Sequence, residues 1–193
     1  LLTVHAFDAA AKHGIQKLIF PMGGCSYPSN APSPISEEEM WNGYPQPESA
    51  PYSVAKKLGL VASASYQRQF GLKSVVLIPG NMYGEYDNFR RNESHVIPAM
   101  IRRFHEATLN REGRVQMWGT GNPIRDFIYA GDVAGLFCYF IDCVDDDTGP
   151  VNLSSGTGVT IKQLAVTIAE LTGFEGDIEW DTDKPDGQME KVF

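Results

Sequence analysis

Two apolar runs separated by a long helical pattern constrain the fold of this chain more than any other feature. The runs cover residues 17–20 and 74–79, and both are typical of buried β-strands. Between them, residues 51–70 predict a helix that ends at Gly71. A strand, a long helix and a second strand form the unit of a parallel, helix-covered sheet with a right-handed crossover. We therefore expect an α/β fold with a Rossmann-type, doubly wound parallel sheet.

Further helices and strands are predicted along the rest of the chain. Helices are expected near residues 1–14, 95–108, 131–143 and 161–172, and strands near 149–153 and 177–180. The last helix should begin after the capping residue Thr160 and end at Gly173. The side chains expected to pack inside are Leu1, Leu2, Val4, Ala6, Phe7 and Ala10 in the first of these helices, Cys138 and Cys143 in the third, and Leu164, Ile168 and Leu171 in the last.

The segment from about 84 to 125 differs from its surroundings because it is polar and rich in Arg and Asn. We interpret it as an excursion from the sheet. Residues 1–83, rejoined by about 126–155, are then the rear part of a partial Rossmann domain. Residues 84–125 and 156–193 are expected to form a small C-terminal lobe.

A dinucleotide-binding sheet normally opens with a strand, a turn like Gly-x-Gly-x-x-Gly and a helix. The nearest match is Gly156-Thr157-Gly158, which is typical of an ordinary strand-to-helix turn. We therefore expect this chain to be the middle and rear of a larger protein.

Composition and charge exclude several classes of partner. The net charge is −8 and no run is rich in Lys or Arg, so we expect no nucleic-acid partner. No apolar stretch reaches transmembrane length, and we expect no membrane association. Three cysteines without metal-ligand spacing favour a reduced, cytoplasmic setting and no metal site. The acidic run of residues 145–147 is interpreted as a solvated turn rather than a metal site.

Tyr52 and Lys56 are the first candidates for chemistry. Residues four apart on a helix lie on one face, so the two side chains can converge on one substrate atom. A nearby ammonium group is expected to lower the pKa of the tyrosine. Such a tyrosine can exchange a proton with an oxygen while hydride moves at the adjoining carbon. The alternative interpretation is an exposed lysine beside a surface tyrosine.

A series of motifs occurs in fixed order along nearly the whole chain. The motifs are Gly24-Cys25-Ser26-Tyr27-Pro28, Pro51-Tyr52-x-x-Ala55-Lys56, Asn81-Met82-Tyr83-Gly84-x-x-Asp87-Asn88-Phe89, Ser94-His95-Val96-Ile97-Pro98-Ala99, Trp118-Gly119-x-Gly121-x-Pro123-x-Arg125-x-Phe127 and Lys184-Pro185-Asp186-Gly187. Together they resemble the GDP-L-fucose synthase family, which belongs to the extended short-chain dehydrogenases/reductases. The Asp87-Asn88-Phe89 and Ser94–Pro98 segments are more specific for this family than the Tyr-x-x-x-Lys spacing.

The resemblance implies epimerisation of a GDP-4-keto-6-deoxyhexose at C3 and C5, followed by reduction of its C4 ketone with NADPH. By the resemblance, Cys25 and His95 match the acid/base pair of the family. Thiols and imidazoles as classes ionise near enough to neutral pH to serve in such a pair. Tyr52 would donate a hydrogen bond to the C4 oxygen and then protonate it. Lys56 would bind the nicotinamide ribose. NAD(H) as the cofactor stays open.

Binding residues are also implied by the resemblance. The residues expected to bind the cofactor are Met22, Gly23, Gly24, Tyr52, Lys56, Pro79, Gly80, Asn81, Met82 and His95. Those expected to bind the nucleotide sugar, mostly from the small lobe, are Asn81, Arg103, Trp118, Arg125 and Asp186. The alternatives are an inert buried thiol for Cys25, a core side chain for Trp118 and solvated side chains for Arg90, Arg91 and Arg102.

One position departs from the superfamily pattern. A Ser or Thr normally binds the substrate carbonyl, whereas the matching residue here is Gly23. Loss of such a donor costs about 2 to 4 kcal/mol of transition-state stabilisation unless another group replaces it. Ser26 is a candidate replacement, and the glycines could instead admit a water or a bulkier substrate.

Gly23 keeps two other functions open. One is a sibling nucleotide-sugar epimerase, reductase or dehydratase, and the other is a non-catalytic nucleotide-sugar-binding protein. A homodimer is expected through the helices near 1–12 and 51–70. We also expect residues 1–193 alone not to turn over substrate.

Overall fold

The protein is described by a computed structural model that covers residues 1–91, 93–143 and 149–193. The acidic run of residues 145–147 lies outside the described residues. The chain forms two compact units. The first comprises residues 1–82, 128–156 and 193, and the second comprises residues 83–127 and 157–192. The assignment of cofactor binding to one and substrate binding to the other stays a prediction.

The first unit is built on a parallel sheet in the order β1-β2-β6. Lys17 lies opposite Lys73 in the β1-β2 pair, and Leu77 lies opposite Val151 in the β2-β6 pair. The elements of this unit are α1 (Leu2–Lys12), β1 (Lys17–Pro21), α2 (Ala50–Phe70), β2 (Lys73–Pro79), α4 (Ala130–Cys143) and β6 (Val151–Leu153). Short 3-10 helices cover Gly24–Ser26, Glu37–Trp41 and Pro47–Ser49. β3 (Asn81–Tyr83) crosses from the first unit into the second.

Alternate residues of β2 pack on opposite faces of this sheet. Val76 and Ile78 belong to the core cluster that contains Phe7 of α1. Val75 and Leu77 belong to the cluster that contains Phe140 of α4. Because side chains alternate along a strand, β2 is covered by helices on both faces. The α/β, doubly wound, Rossmann-like fold that the sequence predicts is therefore confirmed.

The second unit has its own core under α3 and α5. Phe104 of α3 and Ala165 of α5 are fully buried there, and Phe104 packs 5.4 Å from the ring of Phe174. β4 pairs in parallel with β8, while β5 pairs antiparallel with β7 and parallel with β9. The elements are α3 (Val96–Asn110), β4 (Arg114–Trp118), β5 (Ile124–Tyr129, whose last two residues belong to the first unit), β7 (Gly158–Thr160), α5 (Ile161–Thr172), β8 (Asp177–Asp181) and β9 (Glu190–Lys191).

The predicted helices and strands are confirmed, including the cap of α5. The Thr160 side chain accepts a hydrogen bond from the Gln163 backbone, and the Gln163 side chain accepts one from the Thr160 backbone, which forms a full capping box. Strands β4 and β5, in the polar region, were not predicted. β4 alternates buried and exposed residues, a two-residue period that covers only a short segment between turns.

The prediction that certain apolar side chains lie in the core is wrong for several residues. Leu1, Leu2 and Leu171 are 93%, 87% and 82% exposed. α1 instead buries Thr3, Phe7 and Ala10, which lie three and four residues apart on one face. Cys138 and Cys143 are exposed, and Val4 is also on the surface. Only Phe20 of β1 is fully buried, because β1 is the end strand of this sheet.

Within the described ranges, no helix combines the length and the apolar character that crossing a bilayer requires.

Candidate active site

The carboxyl ends of the parallel strands of the first unit meet at one edge of the sheet. Met22 directly follows β1, is buried and donates its backbone N–H to Leu77 O at 2.8 Å. Gly80 directly follows β2 and donates its N–H to Leu153 O at 2.8 Å. Crevices outside this edge are where ligands bind in open α/β sheets. The hydrogen bonds of Met22 and Gly80 fix the points at which the loops that carry Gly23 and Gly80 leave the sheet.

Tyr52 and Lys56 lie in the first turns of α2, where Pro51 occupies an early helical position. The Tyr52 side chain is 54% exposed. The Lys56 ammonium donates to the carbonyl oxygen of Pro21 at 3.0 Å, and Nζ lies 5.8 Å from the centroid of the Tyr52 ring. The hydrogen bond ties Lys56 to the end of β1. The helical spacing thus brings both groups to the strand ends, as the sequence indicates.

The pKa of Tyr52 shifts in the direction opposite to the expectation. Burial raises the pKa of the phenol, and the neighbouring Cys25 raises it further. Lys56 does not offset these effects, because its ammonium is directed to the Pro21 carbonyl. The expectation that Lys56 lowers the pKa of Tyr52 is therefore wrong for the protein without ligand. The phenol of Tyr52 is a proton donor rather than a phenolate here.

Cys25 lies beside Tyr52. A Cβ atom placed on Gly23 would be 3.3 Å from Cys25 Sγ and 3.6 Å from the Tyr52 hydroxyl oxygen. The thiol and the phenol therefore border the same small space. Cys25 is half-buried rather than enclosed in a core cluster, which argues against an inert core cysteine. This placement of a thiol beside a phenol is the central feature of the candidate site.

Two serines that the sequence did not single out as a pair hold the Cys25 turn. The Ser53 hydroxyl donates to the backbone oxygen of Cys25 at 2.9 Å. The Ser26 hydroxyl donates to the backbone oxygen of Ser53 at 3.3 Å. Both serines are fully buried. The signal for Ser53 was its place next to Tyr52, because consecutive helical residues point about 100° apart and so Ser53 lies on a different face of α2 from Tyr52.

The orientation of Ser26 decides one of the open alternatives. Because Ser26 is buried and its hydroxyl is bonded to Ser53, it does not point toward the Tyr52 hydroxyl. Ser26 therefore does not replace the hydroxyl that the superfamily carries at the position of Gly23. The backbone at Gly23 has φ −105° and ψ 143°, which any residue can adopt. Glycine is not required there by its backbone conformation.

The other residues predicted to bind the cofactor lie along the same edge. Pro79 is buried and Gly80 is half-buried. Asn81 and Met82 are exposed, Met82 by 48%. A segment that changes from buried to exposed over four residues presents its backbone at the surface, as a ligand contact requires.

Three of the predicted binding residues lie in the second unit. They are Trp118 at the end of β4, Arg125 in β5 and Asp186 in the segment between β8 and β9. Trp118 is 67% exposed, with Lys184 Nζ 5.9 Å from its ring centroid, so the interpretation of Trp118 as a core residue is wrong. Burial lowers the pKa of the Arg125 guanidinium, and Asp186 opposes that shift. The Asp186 carboxylate accepts hydrogen bonds from both the N–H and the hydroxyl of Thr120, each at 2.7 Å. Asp186 thus braces the turn after β4.

The arginines of α3 have structural partners. Arg103 donates to Gln116 O of β4 at 2.7 Å. Arg102 donates to Phe89 O at 2.7 Å and its side chain is only 19% exposed. The interpretation of Arg102 as a solvated side chain is therefore wrong, because it anchors the preceding loop to α3. His95 is exposed at the residue just before α3.

Comparison with known proteins identifies the family of this chain. The sequence profile described as the NAD dependent epimerase/dehydratase family matches residues 1–154. The chain belongs to the NAD dependent epimerase/dehydratase family. A probable GDP-L-fucose synthase 1 of Oryza sativa subsp. japonica is 40% identical to this chain over 193 residues. The match covers 100% of this chain and 58% of the rice protein. The chain thus spans little more than half the length of that relative.

Two solved structures resemble the fold of this chain closely. A GDP-L-fucose synthetase of Naegleria fowleri bound to NADP has a TM-score of 0.88 and 26% identity, covering 98% of this chain and 62% of the other. A GDP-6-OMe-4-keto-L-xylo-heptose reductase of C. jejuni also has a TM-score of 0.88 and 26% identity, covering 100% of this chain and 66% of the other.

Proposed function

We propose that the full-length protein epimerises and then reduces a GDP-4-keto-6-deoxyhexose with NADP(H), giving GDP-L-fucose or a close relative. The observation that carries this proposal is the pairing of the Cys25 thiol and the Tyr52 hydroxyl at the space beside Gly23. The 40% identity to a probable GDP-L-fucose synthase supports the substrate class.

Epimerisation needs a group that removes a proton beside the ketone and a group that returns one to the opposite face. The half-buried thiol of Cys25 is assigned one of these roles, and the exposed imidazole of His95 the other. Tyr52 donates a hydrogen bond to the C4 oxygen and so stabilises the enolate that forms when the proton leaves. The Ser53 bond to the Cys25 backbone fixes the direction from which the thiol approaches.

Reduction of the ketone uses the same phenol. Because burial and Cys25 raise the pKa of Tyr52, the phenol keeps its proton until the alkoxide forms at C4 and then delivers it. Lys56 lies close enough to Tyr52 to favour the phenolate that remains, once a ligand draws the ammonium away from the Pro21 carbonyl.

The residues at the strand ends fit a dinucleotide. Gly80 directly follows β2, and its N–H is held by Leu153 O, so its backbone lies at the sheet edge where dinucleotides bind in folds of this type. Lys56 would bind the nicotinamide ribose, and Met22, Gly23, Gly24 and residues 79–82 would line the ring. When bound, NADP(H) supplies the hydride for C4. The NADP in the Naegleria structure supports the phosphorylated form of the cofactor.

The second unit is assigned the nucleotide end of the substrate. The exposed face of Trp118 is suited to stacking on a base. Arg125 and Arg103 carry guanidinium groups that can bind a diphosphate through paired N–H donors. Asp186 keeps lone pairs beyond those that Thr120 uses, and these can accept ribose or guanine donors. Asn81 would contact the sugar.

The decisive experiment compares two tyrosines of equal exposure in the full-length protein. Tyr52 and Tyr139 are both 54% exposed. The substrates are GDP-4-keto-6-deoxymannose and NADPH, and the rate of NADPH oxidation is followed by absorbance. Tyr52→Phe should lower this rate about 10²- to 10⁴-fold, the range for removal of a general acid. Tyr139→Phe should leave it unchanged. Undiminished reduction by Tyr52→Phe contradicts the proposal.

A sibling nucleotide-sugar reductase is the second candidate, and Gly23 is the observation that favours it. The heptose reductase of similar fold shows that related chains act on other 4-keto sugars. Solvent deuterium entering C3 or C5 without NADPH oxidation would indicate an epimerase that does not reduce. Neither signal with the deoxymannose substrate, but NADPH oxidation with a bulkier GDP-4-keto sugar, would favour the sibling.

We also propose that the full-length protein is a homodimer that uses α2, and that it is cytoplasmic. Val54, Leu58 and Val61 form an exposed apolar stripe on α2, with 50%, 40% and 50% exposure. The free thiols support a reducing compartment. By light scattering, Leu58→Glu should give half the mass of the unaltered protein, whereas Leu171→Glu on α5 should not.

A further inference from the structure

Phe193 packs against the turn that carries Cys25. A Cβ atom placed on Gly24 would overlap the Phe193 ring, with Cε1 at 2.9 Å and Cε2 at 3.1 Å. Separations of that size lie well inside van der Waals contact. The backbone of Gly24 is not in the left-handed region, so its conformation does not demand glycine. The ring of Phe193 is therefore the physical reason why no side chain fits at position 24.

The same residue touches the ends of all the strands of the parallel sheet. A Cβ atom on Gly80, after β2, would be 3.6 Å from Phe193 Cδ2. Ser154, after β6, donates its hydroxyl to Phe193 O at 2.9 Å. The ring of Tyr27, after the Cys25 turn, lies 5.8 Å from the Phe193 ring at a tilt of 42°. Phe193 thus connects the loops that follow β1, β2 and β6.

The two adjacent glycines differ in this respect. At Gly23 the nearest atom to a placed Cβ is Cys25 Sγ at 3.3 Å, a tight contact that a small shift of a side chain relieves. At Gly24 the obstacle is an aromatic ring that is itself packed on Tyr27 and bonded through its backbone to Ser154. Of these two glycines, only Gly24 has surroundings that exclude a side chain.

We propose that Phe193 is a positioning residue for Cys25, and that Gly24 is a glycine in order to accept its ring. The ring packs against the backbone of Gly24, and Ser53 bonds the next residue of the same Gly24–Ser26 turn through the Cys25 carbonyl. Together they fix the direction of the thiol. The catalytic arm of the test rests on the proposed function, but the reactivity of the thiol does not.

The first measurement is the alkylation of Cys25 by iodoacetamide in the full-length protein carrying Cys138→Ser and Cys143→Ser, which removes the exposed thiols. Phe193→Ala should change the second-order rate constant severalfold and shift the pH profile of alkylation, because the thiol loses its fixed surroundings. The matched control is Phe70→Ala, since Phe70 is 57% exposed at the end of α2. Equal rates and pH profiles in all three proteins would overturn the proposal.

The second measurement is solvent-deuterium incorporation into the keto sugar. Phe193→Ala should lower the exchange rate about 10- to 100-fold, the cost of misplacing a reacting group by roughly 1 Å. Gly24→Ala should lower it similarly, and the combination of both changes should be faster than Gly24→Ala alone. Additive losses would contradict the steric pairing. Altered alkylation with no exchange even in the unaltered protein would leave the pairing intact and reject the proposed function instead.

Discussion

In the first unit, the hydroxyl of Tyr52 and the thiol of Cys25 are directed to an accessible space, and the hydrogen bonds that place them are made by backbone atoms and by Ser53. In the second unit, the candidate binding groups are themselves bonded. Asp186 accepts two hydrogen bonds from Thr120, and Arg103 donates to Gln116 O.

This difference follows from what each group has to do. A group that exchanges a proton must keep its titrating atom free for the substrate, so rigidity has to come from its neighbours. A group that binds a fixed charge can be held by its own hydrogen bonds, because a guanidinium or a carboxylate has several donors or acceptors. We therefore expect changes in the first unit to act on rate and changes in the second unit to act on affinity.

After Tyr52 and Phe193, the next largest effect should come from the serine that holds the Cys25 turn. Ser53→Ala removes the bond to the Cys25 carbonyl, and we expect solvent-deuterium exchange at saturating substrate to fall about 10-fold or more. KM should change little. Ser65→Ala, on the same helix, is the control. A change in KM alone would remove the distinction between the units.

A smaller effect in the opposite direction is expected at Gly23. Because Ser26 is bonded elsewhere, a hydroxyl at position 23 would add a donor beside Tyr52, and Gly23→Ser should raise the rate of ketone reduction up to about 10-fold. Gly23→Ala is the matched control, since it adds the same Cβ without a donor. NADPH oxidation measures both. Equal losses in the two variants would show instead that the space admits a bulkier substrate.

The brace of Asp186 should control affinity rather than rate. Thr120→Val removes one hydrogen bond to a carboxylate, and we expect KM for the nucleotide sugar to rise about fivefold, the equivalent of ~1 kcal/mol. kcat should stay the same. Thr167→Val, at an exposed position of α5, is the control. A fall in kcat without a change in KM would contradict the assignment of this unit to binding.

The smallest effect concerns stability at high pH in the first unit. Burial, and then Glu37, raise the pKa of Tyr27, while its bond to Asn152 opposes the shift. The folded protein therefore holds the phenolic proton more tightly than the unfolded chain, so stability falls as pH rises above about 10. At pH 10.5 the loss from this residue is on the order of 1 kcal/mol. Urea unfolding at pH 8 and 10.5 should show a smaller fall for Tyr27→Phe, and an equal fall in both proteins would contradict this.

The helices and the strands of the parallel sheet could be predicted because their signals are local. The apolar run of β2, the four-residue spacing of Tyr52 and Lys56, and the Thr160 cap are all contained within one element. The short strands β4 and β5 could not be predicted, because they lack the continuous apolar run of β2 and mix polar with apolar residues over only five or six positions. The exposure of Leu1, Leu2 and Leu171 shows the same limit, because apolar character does not specify which face a core will cover.

The sequence by itself determined the fold class and the family resemblance and named the candidate reactive side chains, because these depend on the periodicity and order of residues. Only the tertiary structure decided that Ser26 faces Ser53, that burial and Cys25 raise the pKa of Tyr52, that Arg102 is bonded to the Phe89 carbonyl and that the Phe193 ring excludes a side chain at Gly24. Each of these depends on the direction of a side chain relative to a residue distant in sequence. Such directions are set by packing, and packing carries no local signal.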